Sequence, residues 1–443
     1  MDRISNLPED LLLNILSSLP IKDVIATMLL SKSWKFLWTM VPKLDFDDNV
    51  HQYFGEDGVE YRVFQEFVNR VLVSNTAPVL ETLKLKLGCP LSSTDDITTW
   101  ITTAISRRVR ELEIHRSLKG DGAYLFKLPQ CLYTSEKLVV LKLYKSILLD
   151  VPVEVSLPSL KSLYLVSVIY IDEESHRRLL TACPVLEELV IDKSENYPVA
   201  LSLSVVIPSL QRLSIVDALQ FRSSVKRDTW YENKVVINVP SLKYLSYVDI
   251  YDYGHVCSSE NMPELVEANV KLICKRPEEL MRSITSVKCL SLCLYGSILL
   301  QHRIEFYQLV HLELCGCSPY WWDLYTWMLE NSPKLQVLKL NNCKEWFNHF
   351  ANPIFGRWRQ PSSVPECLMC HLSTFEWKYY SGGREAKRVV AYILKNARQL
   401  KTVDIASPKL CQRKTKTGQI KELASLPRAS SSCQLFLDDK RIY

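Results

Sequence analysis

The chain has 443 residues, a net charge of +5 from 54 basic and 49 acidic side chains, and 47% hydrophobic residues. At about 100–200 residues per domain this length means several units or one long repeat array. The composition excludes wholesale disorder, and so small a charge excess implies no obligatory polyanion partner. Glycine, at 12 residues, is too scarce for glycine-rich phosphate cradles, whereas the 66 leucines are an excess that proves periodic.

The first forty-five residues read as three short helices. Pro8 with Glu9 and Asp10 marks a helix start, since proline fits the first helical position and acids there complement the macrodipole. Leu12, Ile15, Leu16 and Leu19 follow at helical spacing until Pro20. Asp23 can cap a second helix carrying Val24, Met28 and Leu29. Ser31 can cap a third, carrying Trp34, Leu37 and Trp38 and stopped by Pro42. So small a core is marginal alone, and its leftover apolar face calls for a partner.

The run Leu7-Pro8-Glu9-Asp10, then Ile15-Leu16-Ser17-Ser18-Leu19-Pro20, then Leu30-Ser31-Lys32-Ser33-Trp34-Lys35-Phe36-Leu37-Trp38 resembles an F-box of the plant form, continuing into Val41-Pro42-Lys43-Leu44-Asp45-Phe46. Ser33 departs from the arginine usual in that family. The resemblance implies docking onto a Skp-type adaptor and through it onto a cullin ubiquitin ligase. It makes Leu7, Pro8, Ile15, Leu16, Leu19, Val24, Ser31, Trp34 and Trp38 the adaptor-facing candidates, with Leu12 and Leu37 assigned to the core of the head.

A second pattern, L-x-x-L-x-L with apolar substitutes, fills the remainder. It starts at Leu80, Val109, Leu138, Leu160, Leu186, Leu210, Leu242, Leu265, Val287, Leu309, Leu335, Leu372 and Leu400. The mean period, about 27 residues, is that of leucine-rich repeats, which place one strand per repeat along a solenoid. Proline precedes seven of these starts by two residues (Pro78, Pro158, Pro184, Pro208, Pro240, Pro263, Pro333), which suits a strand entry. Glu173–Ala182 and Trp322–Asn331 have helical spacing and fit the opposite, convex side, while the two longest gaps, from 210 to 242 and from 335 to 372, read as loop insertions. A strand period of two turns the residues between the leucines outward on the concave face. Lys142, Tyr144, Tyr164, Glu188, Arg212 and Tyr244 are the target-binding candidates there. Mixed charge with tyrosines resembles a protein-binding surface, not a nucleic-acid groove of one sign.

The last segment changes texture. Pro365-Glu366-Cys367-Leu368, Leu372, Phe375, Trp377, Gly382, Glu385, Ala391, Ile393-Leu394 and Asn396-Ala397 resemble the FBD domain that closes many plant F-box proteins. Arg384 to Asn396 reads as a helix, with a strand through Leu400, Val403 and Ile405. Two strands are expected to extend the array and the helix to cap its open end.

Other chemistry is thin. Cys367-Leu368-Met369-Cys370-His371 matches the haem-attachment string, but it lies inside the FBD resemblance and lacks an export context. Nucleotide, hydrolase and zinc-protease motifs are absent, and the chain lacks the second C-x-x-C of a built-in zinc module. The acid pairs Asp95-Asp96, Glu173-Glu174 and Glu278-Glu279 read as first-turn helix residues. The 14 cysteines, among them Cys289, Cys293 and Cys315, are expected to be reduced thiols in apolar strands. A basic run at Lys409–Lys421 reads as a solvated loop, with a nuclear import signal as the alternative. The expected fold is α/β: a small three-helix F-box (1–45), a linker with helical entry (46–77), a leucine-rich-repeat solenoid (78–345) and an FBD cap (363–438). The expected function is that of the substrate-recognition subunit of an SCF-type ubiquitin ligase, non-catalytic, without cofactor, cytoplasmic or nuclear, binding neither nucleic acid nor membrane. The alternative is a protein-binding scaffold outside a ligase.

Overall fold

The computed structural model describes residues 4, 7–32, 34–48, 59–88, 93–116, 125–193, 203–217, 234–249, 256–259, 261–273, 277–295, 304–316, 320–341, 356–407, 422–437 and 440–442. Ser33 and the basic run at 409–421 lie outside them. The chain divides into two compact units, one over residues 1–201 and 219–223 and the other over 202–218 and 224–443.

The first unit opens with helices Glu9–Leu16 and Ile21–Ala26, followed by 3-10 turns at Thr27–Leu29 and Leu37–Met40. Pro8 and Pro20 each stand just before a helix, with φ of −54° and −56°. Pro20 therefore starts the second helix, and Asp23 lies inside its first turn instead of capping it. The expected third helix is replaced by turns and the 3-10 segment. The aromatic run from Trp34 to Trp38 has weak helix propensity, and Pro42 leaves too few residues to repay nucleation. Leu12, Leu16, Ile21, Val24, Trp34, Leu37 and Val41 fill this small core.

The head runs directly into a parallel sheet. Strand Lys43–Asp47 pairs with Thr82–Leu87, which is followed by Glu111–Arg116, Val140–Tyr144, Ser162–Val166 and Glu188–Asp192, each parallel to the one before. A strand thus begins where the head was expected to end. In the second unit Arg212–Asp217, Tyr244–Asp249, Glu267–Ile273, Cys289–Tyr295, His311–Cys315, Val337–Asn341, Thr374–Lys378, Thr402–Ala406 and Gln434–Leu437 form a parallel series. Lys440–Ile442 closes it antiparallel. Each of the thirteen repeats gives a strand starting two residues after its first apolar position. The prolines act one step earlier than expected. In Leu157-Pro158-Ser159-Leu160 the Leu160 N–H donates to the Leu157 carbonyl (3.2 Å), and the same bond recurs from Leu186 to Cys183, Leu210 to Ile207, Leu242 to Val239, Leu265 to Met262 and Leu335 to Ser332. Proline's fixed φ pre-sets position i+1 of a tight turn that aims the chain into the strand.

The register is the one the leucine spacing requires. Leu163 and Leu189 are fully buried and face each other across neighbouring strands. Helices Val59–Ser74, Thr94–Ser106 and Glu173–Thr181 serve as crossovers in the first unit, and Glu278–Ser283, Trp321–Glu330, Glu366–Cys370 and Arg384–Asn396 in the second. The paired acids lie in first turns: Asp95 and Asp96, Glu173 and Glu174, Glu278 and Glu279. Other crossovers carry short parallel strands: Phe126–Lys127 with Ile147–Leu149 and Ile169–Tyr170, and Leu203–Val206 with Lys234–Asn238 and Val256–Ser259. The gap from 210 to 242 therefore carries a strand of its own. Arg384–Asn396 does not cap the array. It is a crossover between two parallel strands, and the last strand in the series is Lys440–Ile442. Among the described residues no helix is long and apolar enough to cross a membrane.

Helix Thr94–Ser106 ends in a left-handed residue that is not glycine. Arg108 has φ 61°, and the Val109 N–H reaches back to the Ala104 carbonyl at 3.2 Å. Glycine adopts this position without a Cβ clash. The exposed Arg108, replaced by glycine, should raise stability by about 0.5–1 kcal/mol, read as a higher urea midpoint at unchanged slope. A lower midpoint would show that the arginine side chain contributes more than its backbone costs.

Candidate functional site

The head presents an apolar surface over its small core. Helix Glu9–Leu16 is apolar on two sides: Leu12 and Leu16 point inward, while Leu11 (49% exposed) and Ile15 (44%) lie on the other side. Leu7, Leu19 and Met28 are also exposed, and Leu29, Leu30 and Phe36 stand out at 84%, 66% and 67%. Of the adaptor-facing candidates, Leu7, Pro8, Ile15 and Leu19 are exposed, and Ser31 and Trp38 half-buried. Leu16, Val24 and Trp34 are corrected to the core, where their bulk fills a head that has few other residues to bury. Leu11, Leu29, Leu30 and Phe36 were not among the adaptor-facing candidates, although they are exposed. The signal was the surplus of leucines over what one helical stripe can bury.

The head is clasped to the sheet of the same unit. Asn75, buried just past the Val59–Ser74 helix, donates from Nδ2 to the Val41 carbonyl (2.9 Å) and accepts from Arg107 Nη2 on Oδ1 (2.6 Å). Arg107 also donates to the Ala77 carbonyl at 3.1 Å. The Thr76 N–H donates to the Thr39 carbonyl (2.7 Å), and buried Asp48 accepts from the Gly88 N–H (2.6 Å).

On the first unit's outward strand face the register aligns Asp45, Lys84, Glu113, Lys142 and Tyr164 in one row, and Asp47, Lys86, His115, Tyr144 and Val166 in the next. In the first row opposite charges alternate from Asp45 to Lys142, as cross-strand pairing favours. Glu113 is the hub: His115 Nε2 lies 2.6 Å from it, Lys84 3.4 Å and Lys142 3.9 Å, while Lys142 also meets Glu111 at 3.1 Å. Lys142 lies 5.4 Å from the centre of the Tyr164 ring, and the Tyr164 hydroxyl donates to Glu188 at 2.5 Å. Lys142 and Glu188 are thus half-buried by neighbours instead of fully exposed. Tyr144 stacks on His115, rings 3.8 Å apart and 8° from parallel. It does not meet Tyr164, which lies opposite Lys142. In the second unit the Arg212 guanidinium sits 4.6 Å from the Tyr244 ring centre. The candidate tyrosines therefore do not gather in one aromatic cluster; each leans on a charged or imidazole side chain.

The hydrogen bond from His115, outweighing partial burial and aided by the two lysines, holds the Glu113 carboxyl at about 2. A carboxylate whose folded value is depressed stabilises the fold fully above its ordinary value near 4.5, and loses that contribution as pH falls through 2. The difference in urea midpoint between the wild type and Glu113→Gln should therefore shrink from pH 5 to pH 2.5. A constant difference would remove Glu113 from the acid response.

Cys367 of the C-x-x-C-H string is buried. Its thiol donates to the Leu329 carbonyl (3.4 Å), and burial pushes it up to about 12. Such a thiol is a packing element, not a nucleophile. Cys289 and Cys293 are outside any disulfide, but Cys315 is disulfide-bonded, against the expectation of reduced cysteines. Among the described residues no group of three or more His, Cys, Asp or Glu is placed to hold a metal ion.

Known families match in the same order along the chain. Residues 4–46 match the F-box domain, residues 97–262 the leucine-rich repeats of FBD-associated F-box protein At5g56370, and residues 360–405 the FBD family. An FBD-associated F-box protein of Arabidopsis thaliana, At3g50710, is 52% identical over 99% of this chain and 100% of its own length. The F-box/FBD/LRR-repeat proteins At4g26340 and At5g56420 of the same plant are 44% and 42% identical, each over 99% of this chain and covering 100% and 99% of their own lengths. With an exposed apolar head, a strand-per-repeat array and a closing segment all matched along nearly its whole length, the chain belongs to the plant F-box/FBD/LRR-repeat family.

Proposed function

We propose that the chain is the substrate-recognition subunit of an SCF-type ubiquitin ligase. Its head docks a Skp-type adaptor, and through it a cullin, while the strand faces of its repeats hold a target protein. The observation that carries this reading is the exposed apolar surface formed by Ile15, Leu29, Leu30 and Phe36 on a head whose own core is already filled. Such a surface on so small a unit calls for a cover. The mechanism is proximity: the subunit supplies no catalytic group and raises the effective concentration of target beside a loaded conjugating enzyme. It acts in the cytoplasm, the nucleus or both.

The test is co-expression with a Skp-type adaptor and cullin, followed by recovery of targets with the proteasome inhibited. Failure to co-purify with any Skp-type adaptor would overturn the reading. Because the ladder is internally neutralised, target binding should depend weakly on salt. Tyr144→Ala with Tyr164→Ala should weaken it by about 2 kcal/mol or more if these rings anchor the target. Loss of tenfold or more in affinity between 50 and 200 mM salt would instead indicate a polyanion partner.

A further inference from the structure

Residues 356–365, ahead of helix Glu366–Cys370, run without helix or strand and are laid along the second unit as a strap. Trp358 ties it down and is only 2% exposed. Its backbone N–H donates to Glu385 (3.1 Å), its carbonyl accepts from Arg388 (3.2 Å), and its indole N–H donates to Thr326 Oγ1 (3.1 Å). The Arg388 guanidinium also lies 5.6 Å from the ring centre. Thr326 Oγ1 donates in turn to the Arg359 carbonyl at 3.3 Å. Pro361 is buried as well. The strap is thus held through its backbone, Trp358 and Pro361, while Arg357, Arg359, Gln360, Ser362 and Ser363 are exposed.

The exposed side chains form a pattern. Arg357-Trp358-Arg359-Gln360-Pro361-Ser362 places arginine three and five residues before a serine, and Arg-x-Arg-x-x-Ser/Thr occurs nowhere else in the sequence. Arginine-directed protein kinases read an extended substrate chain with carboxylates that take the guanidinium forks at those two positions. The three residues such an enzyme reads, Arg357, Arg359 and Ser362, all face solvent, whereas Trp358 and Pro361 between them face the protein. Other hydroxyls three residues after an arginine lack this setting. Thr181 and Thr285 follow Arg178 and Arg282 at or just beyond a helix end, and each hydroxyl donates to a backbone carbonyl (2.8 and 3.2 Å). Arg428, ahead of Ser431, is engaged by the Cys433 carbonyl at 3.1 Å.

We infer that Ser362 is a phosphorylation site for an arginine-directed protein kinase. The Ser362 hydroxyl oxygen attacks the γ-phosphorus of a magnesium-bound nucleoside triphosphate. The new O–P bond forms as the bond to the nucleoside diphosphate breaks, and the hydroxyl proton passes to the kinase's catalytic carboxylate. The phosphate adds about −1.5 to −2 charges at pH 7 to a strap that carries two arginines, and so neutralises it. The assignment is independent of what the head and the repeats bind.

The test incubates the full-length chain with a kinase that prefers arginine three and five residues before the acceptor, using radiolabelled ATP, and locates the modified peptide by mass spectrometry. Label should reach Ser362 in the folded wild type. Arg359→Ala keeps the backbone bond to Thr326 yet should slow incorporation about tenfold or more, because a charged contact to the kinase is lost. Ser362→Ala should remove the label, and Ser363→Ala should leave its rate unchanged. Wild-type labelling of Ser362→Ala, or an Arg359→Ala rate equal to wild type, would overturn the inference. So would labelling of Ser362 only after heat denaturation, because the fold would then withhold the site.

Discussion

Replacing Leu29 and Leu30 together by serine should abolish co-purification with a Skp-type adaptor while leaving the fold intact. Both side chains are largely exposed in the free chain, at 84% and 66%, and neither belongs to the head's core. Their removal costs the isolated protein little. Burial of a leucine contributes about 1.5–3 kcal/mol, so losing two at an interface weakens binding by about 3 kcal/mol or more, over 100-fold. Leu16→Ala supplies the contrast. Leu16 is fully buried between the head's helices, and truncating such a leucine costs about 2–5 kcal/mol of folding stability. That variant should lose the adaptor by losing the head, visible as a lowered unfolding midpoint. The serine pair should show an unchanged midpoint and no adaptor. Wild-type recovery of adaptor by the serine pair would place the docking surface elsewhere.

Asn75→Leu should cost the first unit about 2–4 kcal/mol, since it deletes a buried hydrogen bond to a carbonyl and another to a charged guanidinium. Leucine fits the volume but leaves the Val41 carbonyl and one Arg107 donor without their present partner. Burial already holds the Arg107 guanidinium below its usual value, and because the group stays charged, a lost acceptor leaves a partly desolvated donor unpaired. Asn75→Asp is the milder change. It keeps an acceptor for Arg107 and gains an opposite charge, but faces the Val41 carbonyl with oxygen instead of N–H, so its loss should be smaller than that of leucine. Urea unfolding of the three proteins checks the order. On the proposed function the same substitution loosens the head from the strand face, and target ubiquitination should fall further than either adaptor or target affinity. An Asn75→Leu midpoint within about 1 kcal/mol of wild type would show that the clasp does not hold the head.

The strand-bearing repeats were legible in the sequence because their signal is periodic and local. A buried leucine or valine two residues before each strand, proline fixing a tight turn ahead of several of them, and period-two alternation place thirteen strands and their inward faces, with Leu163 and Leu189 where spacing puts them. The helix Arg384–Asn396 was legible for the same reason: one apolar stripe on an otherwise charged segment. What tertiary structure alone decided was which apolar residues remained outside. Leu11 and Leu12 are adjacent and identical, yet one is half exposed and the other buried, because a miniature core accepts only as many side chains as its geometry encloses. The strand at Lys43–Asp47 went unread because it precedes the first full repeat, and it is defined by pairing with Thr82–Leu87 nearly forty residues later. The tyrosines of the strand face followed the same rule. Their outward direction came from the period, but Tyr144 against His115 and Tyr164 against Lys142 and Glu188 came from register between strands more than twenty residues apart in sequence, which no local pattern encodes.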